Sequence, residues 1–477
     1  MSQADSFEGK LERVLCANIP GCQRLVSADR LSGGASQETY RIVIATGDGE
    51  KTVAMRRAPG GEYTEKLPQH PGLDVEALLM QCAREAGVPE PEVYHVLSRD
   101  DDLGDGFIME WLEGEALGAR IVRSPEYDAM RPQLAYECGR VLARIHAIDL
   151  DSTGLRDKLW EITPAEFVEQ TWERYRLLET PQPMIDYSAR WLMDHLPTDY
   201  DSQLVHNDFR NGNFMVGPDG IVAVLDWELA HIGDPMRDLG WICTNSWRFG
   251  NPDPVGGFGQ YEDLFRGYEE VSGRKVNPAH VKFWEVFGSF WWSVGCLGMA
   301  EHYRSGPDKT VERPAIGRRS SECQVDCVNL LIPGPVDLVQ ESPGFSSLDM
   351  PRADELLVSV RDFLRDDVMA ATTGRANFLS RVASNSLDIV LREMALGPEH
   401  QRRELNRLQV YFESDDDLMA LRWRLVEELR DKRISLDDEA LQHHLRETVT
   451  NQIAIDQPRY SGFKRALANS ESIDRKG

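Results

Sequence analysis

Two short segments constrain this chain more than any other feature. One is His206-Asn207-Asp208-Phe209-Arg210-Asn211-Gly212-Asn213; the other, thirteen residues further on, is Asp226 within Leu225-Asp226-Trp227-Glu228. An Asp and an Asn on one loop, followed by an Asp at the end of a short hairpin, can hold a phosphate-bound Mg²⁺ and a hydroxyl nucleophile together. Asp208 is then the group that accepts the proton of the attacking hydroxyl. Asn213 and Asp226 supply oxygen ligands, which suit a hard cation such as Mg²⁺. Catalysis by such a set is mostly positioning and charge neutralisation.

The segments upstream fall into the order that this chemistry needs. Phe7 to Ile19 has helical periodicity, and β-branched runs follow at Leu25–Leu31, Thr39–Ile44 and Thr52–Met55. Gly33-Gly34 and Gly47-Asp48-Gly49 separate these runs, so three antiparallel strands are expected. A helix over Leu73–Ala86 and strands near Val93–Leu97 and Gly106–Trp111 complete a small β lobe. From Pro132 the pattern turns helical, with Leu134, Cys138, Val141, Leu142 and Ile145 on one face. Further helices are expected at Phe167–Leu178 and Tyr187–Leu196, before the catalytic stretch, and between Gln260 and Leu331, after it.

Within the β lobe, the turn bearing Gly33, Gly34 and Ser36 can bring backbone N–H groups and a hydroxyl against phosphate oxygens. A hairpin turn without a ligand is the plainer alternative. Val53-Ala54-Met55-Arg56-Arg57 ends a strand on basic residues, and strand alternation favours Arg56 over Arg57 as the phosphate contact. Glu76 on the next helix is its natural ion-pair partner; a solvated strand end is the bland reading. Adenine is expected against the backbone at the end of the last strand, at the Glu110 carbonyl and the Leu112 N–H. In the catalytic loop, His206 packs beneath and orients, while Arg210 either neutralises the transferring phosphoryl group or bridges a surface acid. Glu228 is either an outer metal contact or a solvated carboxylate. Asp238, ahead of an apolar helix, reads as a structural N-cap holding the loop from below. His231, between apolar residues, reads as packed.

Composition excludes several classes. With 53 basic and 79 acidic residues, the net charge of -26 argues against general binding to nucleic acid or to an anionic membrane. An anionic nucleotide must therefore meet a local basic site. The eight cysteines contain no C-x-x-C pair, and Cys323 and Cys327 share a helix face in the manner of core residues. Reduced thiols and a cytoplasmic location are expected. The opening Met1-Ser2-Gln3-Ala4-Asp5 has no basic or apolar leader, so no signal peptide is expected. The apolar run Val286–Ala300 is too short to span a bilayer and reads as a buried helix.

The H-x-D-x-x-x-x-N spacing followed by Leu225-Asp226-Trp227 resembles the aminoglycoside phosphotransferase and choline kinase-like family. Leu31-Ser32-Gly33-Gly34-Ala35-Ser36-Gln37-Glu38-Thr39-Tyr40, Met55-Arg56-Arg57-Ala58-Pro59-Gly60-Gly61 and Leu225 to Ala230 are similar to the branch fused to acyl-CoA dehydrogenases in animals. The resemblance implies an α+β, bilobal protein-kinase-like fold: a β lobe over 1–112 and a helical lobe over 113–331. It also implies ATP as co-substrate, Mg²⁺, a small-molecule hydroxyl as acceptor (a hydroxyacyl-CoA or hydroxy acid) and an acyl-CoA-metabolising enzyme as partner. Arg56 stands where many relatives have Lys. A CoA substrate predicts a basic mouth, for which Arg120, Arg123 and Arg304 are candidates.

Beyond a Pro/Gly-rich linker at 332–351, an all-α domain is expected over 352–455, then a tail over 456–477 that is disordered from Asn469. Helices are expected at Ala353–Asp366, Asn377–Ala395, Gln401–Phe412 and Asp417–Asp431. Asp354-Glu355-Leu356-Leu357, Val360 to Leu364 and Arg381 to Leu387 resemble a small helical bacterial domain of unknown function. Arg381 and Asn385 share a face there, as a polar contact between helices or as functional groups. Two alternatives to a hydroxyacyl kinase stay open: a non-catalytic nucleotide-binding regulatory module, and an antibiotic kinase of the aminoglycoside type, whose polycationic substrate suits an acidic chain. The acidity is also compatible with a homodimer.

Overall fold

Side-chain alternation along five strands decides which charged residues face the site. The strands are β1 (Cys22–Arg30), β2 (Glu38–Thr46), β3 (Gly49–Arg57), β4 (Val93–Val96) and β5 (Gly106–Glu110). They pair antiparallel in the order β1-β2-β3-β5-β4. A two-residue loop closes β2 and β3, with Thr46 opposite Gly49 and Gly49 at φ 123°, a conformation that glycine adopts without strain. The computed structural model describes residues 6–31, 37–63, 67, 69–340 and 350–474, so the turn at Gly33, Gly34 and Ser36 lies outside the described residues.

Tyr40, Ile42 and Ile44 of β2 point to one face with Val53 and Met55 of β3, where they pack on Leu11, Val14, Leu15 and Ile19 from the helix Phe7–Asn18 and its end. Each such fully buried aliphatic side chain contributes roughly 1.5–3 kcal/mol. The next residue of β3, Arg56, therefore faces away from that helix, and Arg57 faces back toward it. Arg57 lies over the rings of Phe7 and Tyr40 and donates to Glu38 Oε2 at 2.9 Å. The helix Leu73–Glu85 belongs to the other core, with Ala77, Leu79 and Ala83 buried beside Phe107 of β5.

By internal contacts the chain divides into two compact units. The first comprises Met1–Thr163, Thr198–Cys243 and Trp247–Trp284; the second comprises Pro164–Pro197, Thr244–Ser246 and Glu285–Gly477. In the first unit, two small sheets frame the catalytic stretch. β6 (Gln203–Val205) pairs with β9 (His231–Gly233), and β7 (Phe214–Gly217) pairs with β8 (Gly220–Val224). The amphipathic helix Arg131–His146 buries Leu134, Cys138, Val141, Leu142 and Ile145, as its periodicity predicts.

The second unit is helical. The expected C-terminal helical domain is present, and its core is continuous with earlier helices. Leu408, Leu421, Leu425, Leu441, Leu445 and Ile453 pack with Met184 and Tyr187 of the helix Pro183–Asp194 and with Val325 and Val328 of the helix Ser320–Leu331. Asp186, fully buried, accepts from Trp172 Nε1 at 2.7 Å and Arg430 Nε at 2.8 Å. Val286–Ala300 lies inside the helix Pro278–Ser305, and among the described residues no helix is long and apolar enough to cross a membrane.

Three expectations need correction here. Asn377–Ala395 and Gln401–Phe412 are one helix, Gly374–Phe412, with Pro398 inside it. A single proline removes one intrahelical hydrogen bond, and the buried His400, Glu404 and Leu408 hold the turns that follow. The 456–477 tail, expected to be disordered from Asn469, instead carries the helix Ser461–Asp474, because Phe463 and Ala466 bury themselves in the second core. Arg381 and Asn385 are both exposed on their helix; Arg381 bonds only locally, to Asn377 Oδ1 at 3.3 Å.

Candidate active site

The catalytic loop is fixed from beneath by apolar anchors. Phe209 and Phe214 are fully buried and flank the loop's polar residues. Asn211, also buried, donates to Gly256 O at 2.8 Å. Gly118 lies so close to this loop that a Cβ would meet the Phe249 ring at 2.2 Å and Asn211 Oδ1 at 2.9 Å.

Asp238 supplies the loop's electrostatic floor. Its Oδ1 accepts from Asn207 N–H at 2.7 Å, and its Oδ2 accepts from His206 N–H at 2.8 Å and His146 Nε2 at 3.1 Å. Burial opposes the Asp238 charge, but His146 and the loop N–H groups hold the carboxyl below the ordinary aspartate range. The residue lies within the helix Met236–Cys243 and does not cap it. Asp234 receives Met236 N–H at 3.0 Å in the capping manner expected of Asp238.

His206 orients the loop through both ring nitrogens. Its Nδ1 accepts from Asp208 N–H at 3.2 Å, which leaves Nε2 to donate to Leu225 O at 3.1 Å. Burial lowers its pKa, and the accepting Nδ1 is that of a neutral imidazole. This one ring ties the catalytic loop to the Asp226 segment. His231 is packed: it is buried, and burial lowers its pKa to about 4.

Asp208 is held from three sides. Oδ1 accepts from Trp241 Nε1 at 2.7 Å and Arg210 Nε at 3.1 Å; Oδ2 accepts from Asn213 Nδ2 at 2.5 Å. Burial raises the Asp208 pKa against the pull of Arg210 and Trp241. Asn213 also donates to the Asp208 backbone carbonyl at 3.0 Å. Both partners are pure acceptors, so the amide nitrogen must face Asp208 and the amide oxygen is turned elsewhere, available as a hard ligand. Among the described residues the acid that Arg210 engages is Asp208, and its guanidinium stacks 4.1 Å from the Trp247 ring.

Asp226 adopts the left-handed conformation, φ 71° and ψ 60°, and Asn207 has φ 67°. Aspartate and asparagine tolerate this region better than other non-glycine residues, and such strain clusters at functional sites. Asp226 Oδ1 accepts from Arg56 Nη2 at 2.7 Å. Arg56 also lies 3.5 Å from Glu76 and 3.9 Å from Glu228. Burial works against the Arg56 charge, but these carboxylates keep it above the ordinary arginine value; burial pushes the Glu76 carboxyl up to about 7. Glu228 thus joins the Arg56 cluster and is not a simple solvated face.

Asp208, Arg210 and Asn213 thus form one contact set and Asp226, Arg56 and Glu76 another, and His206 joins them through the Asp208 N–H and the Leu225 carbonyl. Glu110 ends β5, its N–H donating to Glu92 O at 2.8 Å, and Leu112 lies two residues beyond the strand. Arg120 is held by Glu115 and Glu126, Arg123 by the Phe249 carbonyl, and Arg304 by Glu301.

Sequence reasoning missed Gln37 and the indoles of Trp241 and Trp247. Gln37 bridges Arg56 (2.9 Å) and Glu76 (3.3 Å), a role readable from its place just before β2, the strand that pairs with β3. Trp241 sits three residues after Asp238 on one helix, so both side chains reach the same loop.

Among the described residues no three His, Cys, Asp or Glu side chains converge as a metal cage. An all-oxygen pair such as Asn213 and Asp226 fits Mg²⁺ delivered on a nucleotide, since that ion keeps waters and phosphate oxygens as most of its ligands.

Residues 27–274 match the phosphotransferase enzyme family, and residues 370–460 match a domain of unknown function. Over 250 residues the chain is 31% identical to Mus musculus acyl-CoA dehydrogenase family member 10, covering 50% of this chain and 22% of that protein. Over 246 residues it is 30% identical to Gallus gallus acyl-CoA dehydrogenase family member 11, covering 49% of this chain and 30% of that protein. The chain thus spans under a third of the length of these relatives. A crystal structure of a presumed aminoglycoside phosphotransferase from Ralstonia eutropha aligns with TM-score 0.54 and 25% identity, over 67% of this chain and 97% of that one. The kinase-like fold expected from the motif order is therefore present.

Proposed function

Because this chain belongs to the phosphotransferase enzyme family, we propose that it transfers the γ-phosphoryl group of ATP to the hydroxyl of a small molecule, a hydroxyacyl-CoA or hydroxy acid being the favoured acceptor. The observation that carries this reading is the contact set around Asp208, with Asn213 turned to present its amide oxygen and Arg56 bound to Asp226. The acceptor class rests on the relatives, named as acyl-CoA dehydrogenase family members, in which the matching segment shares one polypeptide with acyl-CoA chemistry.

In the reaction, the acceptor oxygen attacks the γ-phosphorus, the bond to the β,γ-bridging oxygen breaks, and ADP leaves. Asp208 orients the hydroxyl and takes its proton at Oδ2. Mg²⁺, bound through Asn213 Oδ1 and Asp226, would neutralise charge on the phosphates. Arg56 and Arg210 place two further cations beside the Asp226 and Asp208 carboxylates. An intact set of this kind disfavours a non-catalytic regulatory module.

The test is ADP release with Mg-ATP over 3- and 4-hydroxyacyl-CoAs, free hydroxy acids, aminoglycosides and choline, run beside Asp208→Asn. Turnover with the acyl-CoA or hydroxy-acid members, abolished by the substitution, supports the proposal. Turnover confined to aminoglycosides would transfer the chain to antibiotic kinases, and none with any acceptor, with nucleotide still bound, would favour the regulatory reading.

A further inference from the structure

Asp208 has about four lone-pair directions on its carboxylate. Among the described residues Trp241 and Arg210 take two of them on Oδ1, and Asn213 takes one on Oδ2. One direction on Oδ2 is left for an incoming hydroxyl.

We propose that Trp241 is a positioning residue for phosphoryl transfer: its indole N–H locks the Asp208 carboxylate so that Oδ2, and not Oδ1, meets the acceptor. The inference rests on the kinase reading above. Trp241 is itself immobilised. It is 1% exposed, the Arg237 guanidinium lies 4.6 Å from its ring, and the Trp247 ring meets it edge-on at 5.1 Å. Trp247 in turn carries Arg210 on its face. The indoles and the arginine therefore close a ring of contacts on one carboxylate oxygen: Asp208 Oδ1, Trp241, Trp247, Arg210 and back to Oδ1. A carboxylate without the indole gains rotation about its last torsion, and alignment of the reacting groups is what such a site supplies.

Trp241→Phe keeps the ring and loses the donor. Trp241→His keeps a ring N–H at similar reach and loses the second ring. The expected result for Phe is a kcat lower by about 10- to 100-fold, with KM for ATP within about twofold of wild type. The His variant should turn over faster than the Phe variant even where it melts lower, an order that a purely structural role would reverse. Wild-type kcat in Trp241→Phe, or equal losses in the two variants, would overturn the proposal.

A second measurement does not need turnover. In full-length protein labelled at the indole nitrogens, each of the eleven tryptophans gives one N–H resonance. The signal missing in Trp241→Phe should shift more than any other in Asp208→Ala. A Trp241 resonance indifferent to Asp208→Ala sinks the positioning role even in an active enzyme. An inactive wild type with a responsive resonance instead refutes the kinase reading on which the role depends.

Discussion

Arg56 Nη2 lies 2.7 Å from Asp226 Oδ1, across 170 residues of sequence. One guanidinium thereby holds three carboxylates together: Asp226, Glu76 and Glu228. A divalent cation at Asp226 would do part of the same work. Arg56→Ala should therefore destabilise the protein by about 1–3 kcal/mol, since it leaves the buried Glu76 and the half-buried Asp226 and Glu228 without their cation. Millimolar Mg²⁺ should raise its melting temperature more than it raises that of wild type. Equal Mg²⁺ shifts, read by thermal unfolding of both proteins, would show that the ion does not enter this cluster.

Asp226→Asn separates ligand charge from backbone strain. Asparagine tolerates the left-handed conformation that residue 226 adopts, so the hairpin end should survive. The loss is then of carboxylate charge alone. We expect kcat/KM for ATP to fall by about 100-fold or more, with the Mg²⁺ concentration for half-maximal rate rising. Steady-state kinetics across a Mg²⁺ series checks this; an unchanged Mg²⁺ requirement would remove Asp226 from the metal.

The sequence spelled out some of this site and hid the rest for physical reasons. Asp208, Asn213 and Asp226 were legible because their spacing is set by one loop and one hairpin, both local. That Arg56 and Arg57 face opposite sides was legible because strand alternation is local too: Arg57 turns to Glu38 and Arg56 to Asp226. The bond from Trp241 to Asp208 was not, because it joins residues 33 apart whose proximity depends on where the Met236–Cys243 helix packs. The continuous core of the second unit was hidden likewise: a Pro/Gly-rich linker looks like a boundary, but Leu408 and Leu425 pack with Val325 and Val328 on elements from before it. Pro398 misled in the opposite direction, since tertiary burial outweighed one lost hydrogen bond.

Asp238 is the residue whose removal should collapse the catalytic loop. It is fully buried and accepts three hydrogen bonds, from His206 N–H, Asn207 N–H and His146. Asp238→Ala strands those donors in the interior, at a cost of about 3–5 kcal/mol. The expected consequence is a protein that melts well below wild type, with loss of activity beyond what the Trp241 variants show. Urea unfolding would measure it, and a change under about 1 kcal/mol would mean that water reaches the loop N–H groups.

The second unit should lose stability on mild acidification. Burial lowers the pKa of His400 to about 4 and that of His444 to about 3. Both lie beside the Arg422–Glu404 pair and are neutral in the fold. In the unfolded chain each titrates near 6.5. The folded values are depressed, so the stability they contribute is complete above about pH 6.5 and declines as pH falls toward the folded values. Between pH 7.5 and 5.5 each histidine should cost about 1.4 kcal/mol, because the unfolded chain binds a proton that the folded one refuses. Acidic groups add their own pH dependence, so the informative quantity is a difference. His400→Gln/His444→Gln should start less stable at pH 7.5, because the packing is disturbed, yet lose about 3 kcal/mol less than wild type on going to pH 5.5. Denaturant unfolding of both proteins at the two pH values decides it, and parallel losses would mean that these imidazoles are already solvated in the fold.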